Sequence, residues 1–187
     1  MRSPDATEFD DDTLLARART GDRVAFGELV RRHQRAALRL AAVISGSTEE
    51  ANDIVQDAMV NVHRGLGSYR GHAPVRSWML RIVANHAKNH VRSSVRRSRR
   101  DDLHARLDVR VVDGADEPVV RQSDQRDLAD ALARLRTADR EILACRFVTE
   151  LSEAETADVL ALPIGTVKSR TSRALERLRA ELGEVAR

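Results

Sequence analysis

Apolar residues recur at three- and four-residue intervals along almost the whole chain, and no stretch alternates with period two long enough to suggest a strand. The pattern predicts an all-α fold. Asp22 is placed to cap a helix carrying Val24, Phe26, Leu29, Val30, Leu38, Leu40 and Val43, which Ser45-Gly46 ends. Ser47-Thr-Glu-Glu50 reads as a capping box for a second helix with Ile54, Val55, Ala58, Met59 and Val62 on one side. Gly65, Gly67, Gly71 and Pro74 then break the pattern into a loop, and a long helix is predicted from about Val75 into the Arg run at 96–100.

Residues 101–123 mix Asp, Arg and Val without an amphipathic stripe and contain Asp113-Gly-Ala-Asp-Glu-Pro118, which predicts a linker. Helical spacing returns at Asp124, with Leu128, Leu132 and Leu135, then Ile142, Leu143 and Phe147; Ser152-Glu-Ala-Glu155 is a second capping box. The chain thus reads as two small helical domains, about 20–96 and 124–183, joined by a flexible linker.

Composition narrows the class of protein. The 187 residues carry 32 basic and 29 acidic side chains, a net charge of only +3 that says little about partners. The basic residues are 30 Arg and two Lys, Lys88 and Lys168. Arginine makes flat bidentate contacts to phosphate and guanine, but a GC-rich coding sequence raises Arg and Ala together and is the simpler source of the skew. Aromatics are 3% of the chain, which suits a small bundle cored by Leu, Val, Ile and Ala. Cys145 is the single cysteine, so no disulfide framework or Cys-based zinc site is expected, and no cofactor. No apolar run approaches a membrane span, and the opening MRSPDATEFDDD is acidic where a signal peptide would be basic and then apolar. A cytoplasmic location is expected, without membrane insertion.

Three stretches carry recognisable chemistry. In Leu151–Arg179, Ala157 fits the close contact between two helices, Ala161 the turn, and Val167 the apolar lock of a helix-turn-helix, with Pro163 preventing the first helix from running on. Leu175, Leu178 and Leu182 continue the buried stripe of its second helix. The other face carries Lys168, Arg170, Arg173, Arg177 and Arg179 against one acid, Glu176, and so suits a DNA major groove. From Arg76 to Arg100 there are eight basic residues and no acid, with Trp78, Asn85, His86, Asn89 and His90 interleaved. Cations bind phosphates there while rings and amides meet exposed bases. Tyr69 and Trp78 bracket the Gly-rich loop, a place to hold an unstacked base, although Trp78 can equally pack under Met79 and Ile82. His86 and His90 stand one turn apart, but Ala87 replaces the Glu of a zinc protease and no third ligand is evident, so no metal site is expected. Finally, Glu49, Glu50, Asp53 and Asp57 make an acidic helix face, which beside an apolar stripe suits docking to a basic protein; the helix dipole accounts for Glu49 and Glu50 but not Asp57.

Asn52-Asp-Ile-Val-Gln-Asp-Ala-Met59, then the Gly-rich loop with Ser77-Trp-Met-Leu-Arg-Ile-Val-Ala-Asn85, then a linker and Pro163-Ile-Gly-Thr-Val-Lys-Ser-Arg170, resemble an extracytoplasmic-function sigma factor, the smallest class of RNA polymerase promoter-specificity subunit. The resemblance covers about residues 12–182. It implies an acidic tail (1–11), sigma region 2 (12–97), a linker (98–123) and region 4 (124–187), with no room for the additional segments of housekeeping members. By position, Asp53, Gln56 and Asp57 would contact the clamp helices of the largest polymerase subunit. Tyr69 to Pro74, including Arg70, would capture a flipped minus-ten base, and Trp78, Arg81, Asn85, Lys88, Asn89 and Arg92 would line the non-template strand. Thr166, Lys168, Ser169, Arg170, Ser172, Arg173 and Arg177 would face the minus-thirty-five duplex. Three positions depart from the family pattern. Ala161 stands where Gly is common, which suits a turn that avoids positive φ; Thr171 replaces an apolar residue, implying looser packing; and Cys145 replaces an aliphatic, implying a buried spectator.

The implied function is an alternative sigma factor, not an enzyme, serving an extracytoplasmic or stress signal. Its partners would be core RNA polymerase, promoter DNA and an anti-sigma factor, which in some cases holds such proteins at the membrane. The competing reading is an autonomous helix-turn-helix repressor or activator binding paired half-sites. It leaves the acid-free 76–100 helix unexplained. A metal-dependent nuclease ranks last, for want of a carboxylate and histidine cluster in the basic stretches.

Overall fold

The first helix follows directly on Asp10, whose carboxylate accepts from the Thr13 N–H at 2.8 Å, a cap worth about 1 kcal/mol. The computed structural model describes residues 9–101 and 120–185. Among them are eight α-helices and no strand: α1 (Asp11–Arg19), α2 (Arg23–Ser45), α3 (Thr48–Gly65), α4 (Val75–Asp101), α5 (Val120–Arg134), α6 (Thr137–Leu143), α7 (Glu153–Leu160) and α8 (Ile164–Val185). A 3₁₀ turn, Leu66–Ser68, follows α3, and a π-helical turn, Ala144–Val148, follows α6. The all-α expectation holds.

The N-terminal bundle packs α2 against α1, α3 and α4. Leu29, Leu40, Ile44, Val62, Leu80 and Val83 lie at its centre, each at most 1% exposed. Burying each such side chain is worth about 1.5–3 kcal/mol. Asp22 caps α2 by accepting from the Val24 and Ala25 N–H groups, and Gly46 ends it in the left-handed region at φ 84°. Ser47 accepts from the Glu50 N–H at 3.2 Å at the start of α3. The helix α1 is not apparent from the periodicity, which leaves its first residue in an acidic tail. Leu14, Leu15 and Ala18 bury the inner face of α1, and Asp11 pairs with His33 at 2.7 Å and Arg32 at 3.2 Å on α2.

The C-terminal bundle packs α5, α6 and α7 on α8. Its first helix begins at Val120, four residues before the expected Asp124, while α4 runs to Asp101. Both helices therefore enter the predicted linker, whose residues 102–119 lie outside the described residues, as does most of the acidic tail.

Two apolar residues assigned to helix interiors face solvent. Phe147 is 54% exposed because the π turn, with the Thr149 N–H reaching back to the Ala144 carbonyl, rotates it off the Ile142 and Leu143 side. Val24, in the first turn of α2, is 69% exposed because no neighbouring helix covers that side.

The bundles also meet each other. The α4 helix packs on α7, and the end of α2 packs on α6 and the π turn.

Candidate nucleic-acid and docking interfaces

The acidic side of α3 is built on an apolar floor. Asp53, Gln56 and Asp57 are all exposed, because Ile54, Val55, Ala58 and Met59 take the inward positions of the same turns. Beside them α2 and α3 leave a groove of about 590 Å³ lined by Phe26, Val30, Leu38, Val55, Gln56, Met59 and Val60. The surface joins acid to exposed apolar area, which suits a basic helical partner. Glu50 faces the other way and pairs with His90 of α4 at 3.1 Å. His86 meets Asn61 at 2.7 Å, so the two histidines are each engaged with α3.

The loop before α4 is closed on itself. Tyr69 donates its phenol to the Ala73 carbonyl at 2.6 Å, and Gly71 makes the intervening turn at φ 75°, a region that favours glycine. Burial pushes the Tyr69 phenol up, keeping it a neutral donor. The Tyr69 and Trp78 rings lie 5.3 Å apart at 59°. Trp78 also lies against Gly65, where a Cβ would come within 3.3 Å of the indole. Half-buried, Trp78 both packs and faces a pocket of about 200 Å³ lined by Ser68, Tyr69, Arg70, His72, Arg81 and Asp158.

Along α4, Arg81, Asn85, Asn89 and Arg92 are exposed at helical spacing, so the sequence places them on one stripe. Lys88 belongs to the same stripe but is half-buried, its Nζ 3.5 Å from Glu141 of α6.

The helix-turn-helix is α7 and α8. Ser152 and Glu155 form the full reciprocal box, Ser152 Oγ accepting from the Glu155 N–H at 3.2 Å and Glu155 Oε2 accepting from the Ser152 N–H at 2.8 Å. Those bonds hold the Glu155 carboxyl below its usual range. Val167 and Ala174 are fully buried, fixing the inner face of α8.

The turn corrects one expectation. Ala161 adopts φ 53°, ψ 49°, because the Leu162 N–H closes on the Ala157 carbonyl and the Ala161 N–H on Asp158, a geometry that ends α7 within one residue. Left-handed alanine costs about 1–2 kcal/mol. Ala161→Gly is therefore expected to raise stability by about 0.5–1 kcal/mol after the entropy of the freer unfolded chain, read from urea midpoints at unchanged m-value.

Thr171 is not loosely held: its hydroxyl donates to the Val167 carbonyl at 2.8 Å. Cys145 is fully buried, and burial pushes its thiol up to about 12, the environment of a spectator.

On the outer face of α8, Lys168, Ser169, Ser172 and Arg173 are exposed, with Thr166 and Arg170 half-buried beside them. Arg173 folds back on Ser169, Nε donating to its carbonyl at 3.0 Å. Lys168 Nζ lies 3.5 Å from Glu153 of α7, and Arg177 is held more closely. Its Nη1 donates to both carboxylate oxygens of Asp139, at 2.8 and 2.7 Å, and Asp139 is 7% exposed. Arg177 ties α8 to α6, a pairing invisible in the periodicity of α8 alone.

Comparison with known proteins decides between the two readings of this architecture. Residues 29–97 match the family model for sigma-70 region 2, and residues 131–180 match that for sigma-70 region 4. The chain is an extracytoplasmic-function sigma factor. It is 39% identical over 180 residues to the ECF RNA polymerase sigma factor SigM of Mycobacterium tuberculosis, covering 94% of this chain and 86% of that protein. Among solved structures, CnrH in complex with the cytosolic domain of CnrY superposes with a TM-score of 0.72 at 27% identity, over 96% of this chain and 99% of that one. The sigma factor RpoE bound to the anti-sigma factor NepR, from Bartonella quintana, gives a TM-score of 0.72 at 25% identity over 87% and 98%. This sigma factor binds core RNA polymerase and promoter DNA and directs transcription initiation, and the autonomous repressor is not favoured. Sigma factors as a family are not catalytic. Among the described residues no helix is long and apolar enough to cross a membrane.

Proposed function

We propose that this sigma factor divides its work among three faces. Region 2, taken as residues 12–97, presents Asp53, Gln56 and Asp57 on α3 to the clamp helices of the largest polymerase subunit. The 590 Å³ apolar groove beside them receives the hydrophobic part of that contact. Tyr69, Arg70 and Trp78 hold an unstacked minus-ten base, and Arg81, Asn85, Lys88, Asn89 and Arg92 follow the non-template strand. Region 4, taken as 124–187, inserts α8 into the minus-thirty-five major groove through Thr166, Lys168, Ser169, Arg170, Ser172 and Arg173. Arg177 is omitted from that set because its guanidinium is held by Asp139. The interval 98–123 links the two regions.

One observation carries this division: the opposite charge of the two long faces of region 2. Exposed acids on α3 stand beside a largely apolar groove between α2 and α3, whereas the sequence from Arg76 to Arg100 contains no acid. A basic protein and a polyanion therefore have separate places to bind. The protein has no catalytic role of its own, acts in the cytoplasm, and answers a stress or extracytoplasmic signal. The complex of the sigma factor RpoE with its anti-sigma factor supports an anti-sigma partner here as well.

Run-off transcription tests the whole. With purified core polymerase and a genomic promoter library, discrete transcripts are expected only when core and this protein are both present. Output no greater than that of core alone, accompanied by tight operator binding of the free protein, would sink the reading.

A further inference from the structure

The first helix, α1, carries four charged side chains, and two of them are engaged while two are not. Asp11 pairs with His33 and Arg32 of α2, and Arg17 donates from Nε to Asp22 at 2.9 Å. Asp12 and Arg19 are exposed, and among the described residues neither has a hydrogen-bond or ion-pair partner. They stand seven residues apart, so they share a stripe with Leu15 and Ala16 and lie about 10 Å from each other along the helix. The helix dipole favours both charges at these ends of α1 but leaves their partners unassigned.

The stripe faces Tyr69, Arg70 and Gly71 of the Gly-rich loop across a cleft of about 440 Å³. That volume lies within the roughly 300–1,000 Å³ of small-ligand sites. Both walls are fixed: Leu14, Leu15 and Ala18 seat α1 on the bundle, and the Tyr69–Ala73 hydrogen bond closes the loop. At Gly71 a Cβ would meet nothing within 4 Å, so the cleft is open there. Burial raises the Tyr69 phenol and the charge of Asp12 raises it further, which places that carboxylate toward the loop. Tyr69 and Arg70 also line the pocket of about 200 Å³ that contains Trp78. The loop is thus a partition, and a strand that leaves a base on the Trp78 side can bring the neighbouring nucleotide to the α1 side.

The charges of the cleft fit a nucleotide in one orientation. Arg19 and Arg70 supply cations for a phosphate. Asp12 would repel a polyanion unless it accepted hydrogen bonds from a base, since an ionised carboxylate only accepts. On the pairing edge of an unstacked base, guanine alone sets two donors side by side, N1–H and the N2 amino group. Cytosine and adenine set one amino group beside an acceptor nitrogen, and thymine sets N3–H between two carbonyls. Two adjacent donors match the two oxygens of a carboxylate as a bidentate pair.

We propose that this cleft holds one guanine nucleotide of the non-template strand, next to the base held at Trp78, with its phosphate at Arg19 and Arg70 and its N1–H and N2 amino groups on Asp12. Asp12 is thereby a specificity-determining residue on a helix outside the loop. This rests on the reading that the loop holds an unstacked minus-ten base.

Holoenzyme assembled from core polymerase and the full chain is titrated with fluorescein-labelled fork probes copied from a promoter transcribed in the run-off assay. The non-template strand of each probe is single-stranded through and just beyond the minus-ten element, and every position there is made A, C, G, T, inosine or abasic in turn. At one position wild type is expected to prefer guanine about tenfold, and to lose most of that preference with inosine, which lacks the 2-amino group. Asp12→Asn offers one donor beside one acceptor. It is expected to bind guanine at that position more weakly than wild type and adenine or cytosine more tightly, a change of opposite sign that a loss of folding does not produce. Arg19→Ala is expected to weaken all bases alike and to reduce the salt slope by about one. Both positions are exposed, and circular dichroism is expected to stay unchanged.

The absence of a guanine-preferring position in wild type, or an Asp12→Asn protein whose four affinities shift together, overturns the proposal. Calorimetry of the wild-type chain with guanosine monophosphate separates the two sources of the same chemistry. Binding that Asp12→Asn abolishes, with no guanine-preferring position in the strand, assigns the cleft to a free nucleotide and overturns the strand assignment. The loop reading is judged from the abasic probes: a wild-type loss at a position that Asp12→Asn leaves unchanged marks the base at Trp78, and its absence removes that reading while the guanine position still decides the role of Asp12.

Discussion

Replacing Asp57 with lysine is expected to cut retention of this sigma factor by core polymerase at least about 100-fold, because a like charge facing a basic partner costs several kcal/mol. Asp57 is exposed on α3, one position from Gln56 at the edge of the apolar groove, and its neighbours Ala58 and Met59 carry the packing. Lysine is a good helix former, so the variant should keep its helical circular dichroism and melt within about 2 °C of wild type, as surface changes away from packed features generally do. Asp130→Lys, an equal charge change on α5, should be retained normally. Retention of Asp57→Lys at the wild-type level in a pull-down would remove α3 as the docking face, whatever the fate of the DNA assignments.

The second large effect is expected at Arg173. If its guanidinium makes a bidentate contact to a guanine edge, Arg173→Ala costs about 1–3 kcal/mol at one position of the minus-thirty-five element and nothing at the others. Its present bonds, to the carbonyl and hydroxyl of Ser169 on the same exposed face, are contacts a side chain gives up readily on swinging into a groove. Transcription from a promoter set mutated one base at a time reads the pattern. Selective loss of discrimination at a single base pair supports the assignment; a uniform loss with a shallower salt dependence assigns Arg173 to a phosphate instead. Arg177→Ala makes a useful contrast. It leaves the 7% exposed Asp139 without its partner, so its effect should appear in stability.

Much of this architecture is legible along the chain because it is local. The caps at Asp22, Ser47 and Ser152 act within one turn, and the apolar spacing of α2, α3, α4 and α8 depends only on residues three or four apart. The acid-free run in α4 and the acids of α3 need only counting. Where local signals are weak or conflicting, expectation and structure part. The first helix is nine residues, with only Leu14, Leu15 and Ala18 to mark it, and its acidic start resembles a tail. Phe147 has the spacing of a core residue until a π turn shifts the register by one. At Ala161 the demand for a sharp stop outweighs the steric preference of alanine.

The sequence by itself determined that the chain is helical, where most helices begin and end, and which faces carry acid or base. Its motif order also identified an extracytoplasmic-function sigma factor. Tertiary structure alone decided which charges are free. Lys88 meets Glu141 and Arg177 meets Asp139, while Arg140 spans 96 residues to reach Ile44. The reason is physical. A helix imposes its period on neighbours in sequence, but an ion pair across two bundles depends on how their surfaces come together, and no local spacing encodes that partner.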